Sequence, residues 1–270
     1  MEFFAKVLRV LDTSMTTPTA YGWFHLMWWA IVLGAAVGLC IWHRHSGSDR
    51  RVRRVVFAVA VTVILLEVYK IINFGYTYEN GVEFNFEWYS FPWQFCSTPM
   101  YVGFLVGIIR KGKVHNALCA YLATYAIFAG VAVMVYPGDV FISTIGINIQ
   151  TMICHGSMIT VGIYLLYSGY VKLEHKTILK ALPVFASCLV IAIILNEIGN
   201  ACGLDGFNMF YISPHADPHL PVYSIVQTHV PYPLDLVLYI WGFTTAAYLM
   251  LLIAMGIRAL GRCVIKSKTA

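Results

Sequence analysis

The 270 residues are 59% hydrophobic and 11% charged, far from the usage of a soluble domain and typical of a chain embedded in lipid. Eighteen Lys and Arg against thirteen Asp and Glu give a formal net charge of +5, a small excess to be read by membrane topology before nucleic acid is invoked. The seven cysteines, at 40, 96, 119, 154, 188, 202 and 263, form no CxxC pair, so neither a disulfide framework nor a zinc cassette is indicated. Residues 1–23 lack a long apolar core, and no cleavable signal peptide is expected.

Crossing a hydrocarbon core of roughly 30 Å as a helix takes about 20 apolar residues, because lipid offers an unpaired backbone group no partner. Seven segments meet that need, at 24–42, 55–74, 93–110, 116–136, 145–167, 178–200 and 234–257. The expectation is an all-α membrane protein, one transmembrane domain of seven helices. The third segment opens after Phe91-Pro92 and carries Pro99 one turn in, which predicts a bent helix or a re-entrant beginning.

Of the eighteen basic residues, all but Lys6, Arg9 and Lys70 fall after spans 1, 3, 5 and 7. The connections 75–92, 137–144 and 201–233 hold no Lys or Arg, but hold Glu79, Glu83, Glu87, Asp139, Asp205 and Asp217. Cytoplasmic connections retain Lys and Arg, so the amino terminus is expected outside and the carboxyl terminus in the cytoplasm. Lys6 and Arg9 belong to an amphipathic lead expected on the outer surface. The longest connection, 201–233, is expected to cap a cavity there.

Ionisable residues within a span are costly and usually face a partner or a wet cavity. Span 2 supplies Glu67, Lys70 and Asn73, with Glu67 and Lys70 on one face at i, i+3 spacing. Span 3 supplies Gln94 and Cys96, span 5 Asn148, Gln150 and His155, and span 6 Asn196, Glu197 and Asn200. All fall in the expected outer half, which predicts one polar cavity open to the exterior or the outer leaflet. Each has a structural alternative. Glu67 and Lys70 can neutralise one another, and the asparagines can be hydrogen-bond glue between helices. Cys96 is a nucleophile if a base stands within reach, a plain buried thiol, or a disulfide partner of Cys202. His155 is the one histidine well inside a span. His215, His219 and His229 are a weaker metal-binding alternative, lacking a cysteine or acid at convincing spacing.

The run Trp88-Tyr89-Ser90-Phe91-Pro92-Trp93-Gln94-Phe95-Cys96-Ser97-Thr98-Pro99-Met100-Tyr101, between a span bearing Glu67 and Lys70 and one bearing His155-Gly156, resembles YwaF-type bacterial membrane proteins, whose eukaryotic relative is transmembrane protein 164. The likeness extends to His25-Leu26 opening span 1 and to Asn200 and Asn208-Met209-Phe210 after span 6. The eukaryotic member looks like an acyltransferase moving a fatty acyl chain between phospholipids through the cysteine of this motif. The resemblance implies Cys96 as nucleophile and His155 as base; Glu67, Lys70 and Asn200 are then expected to orient His155 or hold the headgroup. Asn73, Gln94, Asn148, Asn196, Glu197 and Asn208 complete the candidate substrate-binding set. Phospholipid and lysophospholipid partners and a bacterial plasma membrane are expected, and, from the ligand spacing, no cofactor or metal. Two rivals stand beside it: a transporter or ligand-binding protein using Glu67, Lys70, Glu197 and His155, and a receptor-like seven-helix sensor. The absence of Lys from the middle of span 7 excludes a retinal Schiff base there.

Overall fold

With no water to satisfy their backbone groups, long apolar runs close their hydrogen bonds internally as helices. The computed structural model describes residues 2–46, 48–77, 82–217 and 219–269, so that Glu79 lies outside the described residues. Within them, six helical stretches are long and apolar enough to cross a membrane. They are α2 (Trp23–Ser46), α3 (Asp49–Gly75), the pair α5 (Lys113–Leu122) and α6 (Tyr125–Val135), α7 (Ile145–Tyr167), α8 (Lys176–Ala201) and α10 (Leu234–Thr269). Short helices α1 (Glu2–Leu11), α4 (Thr98–Ile108) and α9 (Tyr223–His229) and a small hairpin, Tyr76–Thr77 with Glu83–Phe84, complete the chain.

The third expected span is where sequence and structure differ most. In place of a helix over 93–110 there is a 3-10 turn at Trp88–Ser90, an irregular stretch, and then an α4 of 11 residues, about 16 Å long at 1.5 Å per residue. Pro92 and Pro99 are the reason: each lacks the N–H that a continuous helix would use. The end of α4 is closed from α3, where Arg53 donates to the carbonyls of Gly107 and Ile109 at 2.9 and 3.1 Å. The fourth span is interrupted at Ala123-Thr124, where the Thr124 hydroxyl donates to the Ala120 carbonyl at 2.7 Å and competes with the helical ladder.

The stretch formed by α5 and α6, together with α7, makes the centre and is mostly buried, whereas α3 and α10 are mostly not. Close approach of α6 and α7 depends on Gly130, where a Cβ would come within 2.5 Å of the His155 carbonyl oxygen. Gly156 does the same for α2, where a Cβ would collide with Val32. Small residues at such crossings are the usual means of helix association in lipid. The amphipathic lead expected around Lys6 and Arg9 is α1, tied to the far end of α3 by Tyr69, whose hydroxyl donates to the Leu11 carbonyl at 2.7 Å.

Candidate functional site

Near the carboxyl-terminal end of α3, Lys70 Nζ donates to Glu67 Oε1 at 2.5 Å, the ion pair expected from their spacing. The other carboxylate oxygen accepts from Gln150 Nε2 of α7 at 3.2 Å. Glu67 is 4% exposed, and these two donors are what make a carboxylate tolerable at that depth.

Cys96 stands two residues ahead of α4, in a turn closed by Ser97 and Thr98, whose N–H groups donate to the Gln94 carbonyl at 2.8 and 3.2 Å. Pro99 at the second helical position leaves the first turn without a wasted donor. The cysteine therefore lies at the positive end of the α4 dipole. It is half-buried and close enough to Glu67, Lys70 and Cys154 for electrostatic interaction. Cys96 and Cys202 are both free thiols, and Cys202 is exposed at the end of α8. The disulfide alternative is not realised.

His155 is 5% exposed in the middle of α7. Its Nδ1 lies 2.7 Å from the Thr151 carbonyl one turn earlier. A carbonyl can only accept, so Nδ1 carries the proton of the neutral ring and Nε2 keeps a lone pair. That Nε2 is buried and without a partner. No hydrogen bond joins it to Cys96, although Lys70 is close enough to interact with both residues. His25, by contrast, uses both ring nitrogens: Nδ1 accepts from the Tyr21 N–H at 2.9 Å and Nε2 donates to the Met134 carbonyl at 2.8 Å.

The remaining candidates do not gather into one polar cavity. Gln94 accepts from the Phe210 N–H and donates to the Asn208 carbonyl, both at 2.9 Å. Asn196 accepts from the Met209 N–H at 2.7 Å and donates to its carbonyl at 3.0 Å. Asn208 Oδ1 accepts from the Ser213 N–H at 3.0 Å, while its Nδ2 is buried without a partner. Asn148 clamps Ile142 in the same two-way manner at 3.0 and 2.7 Å. These amides satisfy irregular backbone that lipid cannot. Asn73 donates to Asp12 at 3.4 Å in the amino-terminal lead. Glu197 is exposed and meets His215 Nε2 at 3.3 Å, and Asn200 is exposed at the end of α8. Among the described residues, neither Glu197 nor Asn200 has a hydrogen bond to Glu67 or Lys70. Among the described residues no group of three His, Cys, Asp or Glu is arranged to hold a metal. His219 packs near the Tyr211 ring, and His229 bonds within α9.

Four neighbours of Cys96 were not among the residues expected at the site, Cys154, Tyr211, Tyr121 and Tyr239. Cys154 precedes His155 and interacts electrostatically with Cys96. Tyr211, in the cap connection, does so too. Cys154 could have been suspected from its adjacency to His155; Tyr211 had no signal, because only the fold returns the cap to span 3. Cys154 also lines an apolar groove with Val56, Ala60, Val63, Met100 and Met158, bounded by α3, α4, α6 and α7 and with a free volume of about 30 Å3.

The cluster thus combines a half-buried thiol at a helix start, a buried imidazole with a free lone pair, a neutralised carboxylate and an apolar groove. No curated protein and no solved structure matches the chain. The TMEM164 family matches residues 20–256, a range that contains every residue of this cluster, and the chain belongs to that family.

Proposed function

We propose that this protein is an acyltransferase that moves a fatty acyl chain from a phospholipid to a lysophospholipid through a thioester on Cys96. The observation that carries the reading is the orphaned Nε2 of His155, a buried lone pair held in the accepting tautomer by the Thr151 carbonyl. A buried acceptor left empty costs about 1–3 kcal/mol, and a proton donor arriving with substrate, or the Cys96 thiol itself, would fill it.

In the first step the Cys96 proton passes to His155 Nε2 and the sulfur attacks the ester carbonyl. The C–O bond then breaks, and the departing glycerol oxygen takes the proton back from His155. In the second step the hydroxyl of an acceptor lysophospholipid gives its proton to Nε2 and attacks the thioester, releasing the Cys96 thiol. The start of α4 places positive dipole beside the sulfur, and the acyl chain would have to come from the surrounding lipid, because the groove at Cys154 has room for little more than one methylene. Cys96 and His155 are not hydrogen-bonded in the empty protein, so the mechanism requires that gap to close as substrate enters, a tightening common to catalytic pairs. The proposed setting is a plasma membrane crossed seven times, with the amino terminus outside and Cys96 in the outer half.

The same gap favours a second reading, in which Cys96 packs and the Glu67–Lys70–Gln150 network serves ligand binding or transport. Incubation of the purified protein with phospholipid carrying a labelled acyl chain separates the two. A label on the wild type that neutral hydroxylamine removes, and that Cys96→Ser never acquires, is expected. A wild type with no acyl-enzyme, together with a Cys96→Ser variant of unchanged activity in cells, would leave the binding protein.

A further inference from the structure

The other end of α3 holds a second recess, about 350 Å3 in volume, lined by Trp42 of α2 and by Ser48, Arg50, Arg51, Arg54, Val55 and Ala58. Arg51 stacks on Trp42, its guanidinium carbon 4.7 Å from the ring centroid, which fixes one cation against the wall. The acid of this first turn, Asp49, is engaged elsewhere by Lys111. Among the described residues neither Arg50 nor Arg54 has a carboxylate partner. Four guanidiniums in the first two turns of α3, those of Arg50, Arg51, Arg53 and Arg54, repel one another and oppose its dipole. The lining, moreover, passes from arginine to Val55 and Ala58, so charge and apolar surface adjoin in one recess.

We propose that this recess binds a phosphate group, carried by an anionic lipid headgroup or supplied as free phosphate. The guanidinium fork matches two phosphate oxygens at once, which an ammonium cannot do. An anion there would relieve both the mutual repulsion and the opposition to the dipole. The site is separate from the one at Cys96: Arg54 and Glu67 are thirteen residues apart on α3, about 20 Å along its axis.

The test is a titration of the purified full-length protein in neutral detergent with dioleoyl phosphatidic acid, with phosphatidylcholine and with inorganic phosphate, read by thermal unfolding. Phosphatidic acid should raise the midpoint saturably and phosphatidylcholine should not. The same rise with inorganic phosphate alone assigns the recess to free phosphate, and a rise with lipid alone assigns it to the headgroup; both support the proposal. Arg50→Gln/Arg54→Gln should weaken the response about thirtyfold, from roughly a fivefold contribution per basic residue. Because those charges also bear on topology, Arg50→Lys/Arg54→Lys is the companion variant, and it too should bind several-fold more weakly. A wild type that responds to neither phosphatidic acid nor phosphate, or variants that respond as the wild type does, would overturn the proposal.

Discussion

Gln150 of α7 reaches across to α3 and donates to Glu67 Oε2 at 3.2 Å, leaving Oε1 to Lys70. The carboxylate is therefore held by two elements, and its partner lysine keeps 17% of its side chain exposed. Removing one member of a buried pair strands the other and costs about 3–5 kcal/mol when burial is complete. Lys70→Met should accordingly lower stability by about 2 kcal/mol, a discount for that exposure. Glu67→Gln/Lys70→Met should recover part of the loss, since no lone charge remains. Additive losses in a double-mutant cycle of unfolding midpoints would mean that the two do not interact.

The cap connection makes a different demand. Phe210 and Tyr211 adopt φ of 59° and 56°, a left-handed conformation that bulky residues rarely hold unaided. Gln94 grips the Phe210 N–H, Asn196 grips both backbone groups of Met209, and the Tyr239 hydroxyl donates to the Phe210 carbonyl at 3.2 Å. Asn196→Ala strands two buried backbone groups at about 1–3 kcal/mol each. It should lower the thermal midpoint and speed proteolysis between 201 and 222, while Glu197→Ala, one residue on but exposed, should do neither. Equal behaviour of the two variants would refute the clamp.

Apolar length made most of the bundle legible, because it reflects a solvent that tolerates no bare backbone. The ion pair of Glu67 and Lys70 could be read from one helical turn. What the sequence could not supply is the partner of each intramembrane amide. Gln94, Asn148, Asn196 and Asn208 have the same polarity as residues lining a wet cavity, yet they bond to loop backbone brought to them by folds of the chain more than 100 residues long in the case of Gln94 and Phe210. Composition cannot distinguish an amide facing water from one replacing it. Pro92 and Pro99 did announce the break in the third span, though not that only 11 residues of it would be helical.

That short α4 makes topology a sharper question than six long helices would. The segment 88–108 either completes a crossing or turns back, and the parity of the chain depends on which. The charge sorting predicts completion, so reporters inserted in the amino-terminal lead and after Arg258 should appear on opposite faces. A reporter within 205–217 should share the face of the lead. Lead and Arg258 reporters on one face would mean that 88–108 is re-entrant.

The last prediction concerns the joint between the cap and α10, where the Tyr223 hydroxyl donates to Asp235 Oδ2 at 2.8 Å and Asp235 is 3% exposed. Tyr223 is pushed above the ordinary phenol range, first by burial and then by the hydrogen bond to Asp235 and its charge. A raised value means that the folded protein holds this proton more tightly than the unfolded chain, whose tyrosines release theirs near pH 10. Below that pH both states are protonated and the contribution is fully present. Above it the unfolded chain binds fewer protons, so stability falls with rising pH until the folded tyrosine also ionises. Other buried tyrosines add slopes of the same sign, so the readout is a difference between proteins. Tyr223→Phe should be less stable by about 1–3 kcal/mol at neutral pH, because the carboxylate loses its donor, and should lose less stability than the wild type between pH 9.5 and about 11. Asp235→Asn retains an acceptor without the charge, and should lie between the two in alkaline slope. Parallel stability curves for wild type and Tyr223→Phe across that window would show that this proton is not held more tightly in the fold, and that the pair does not fasten the cap.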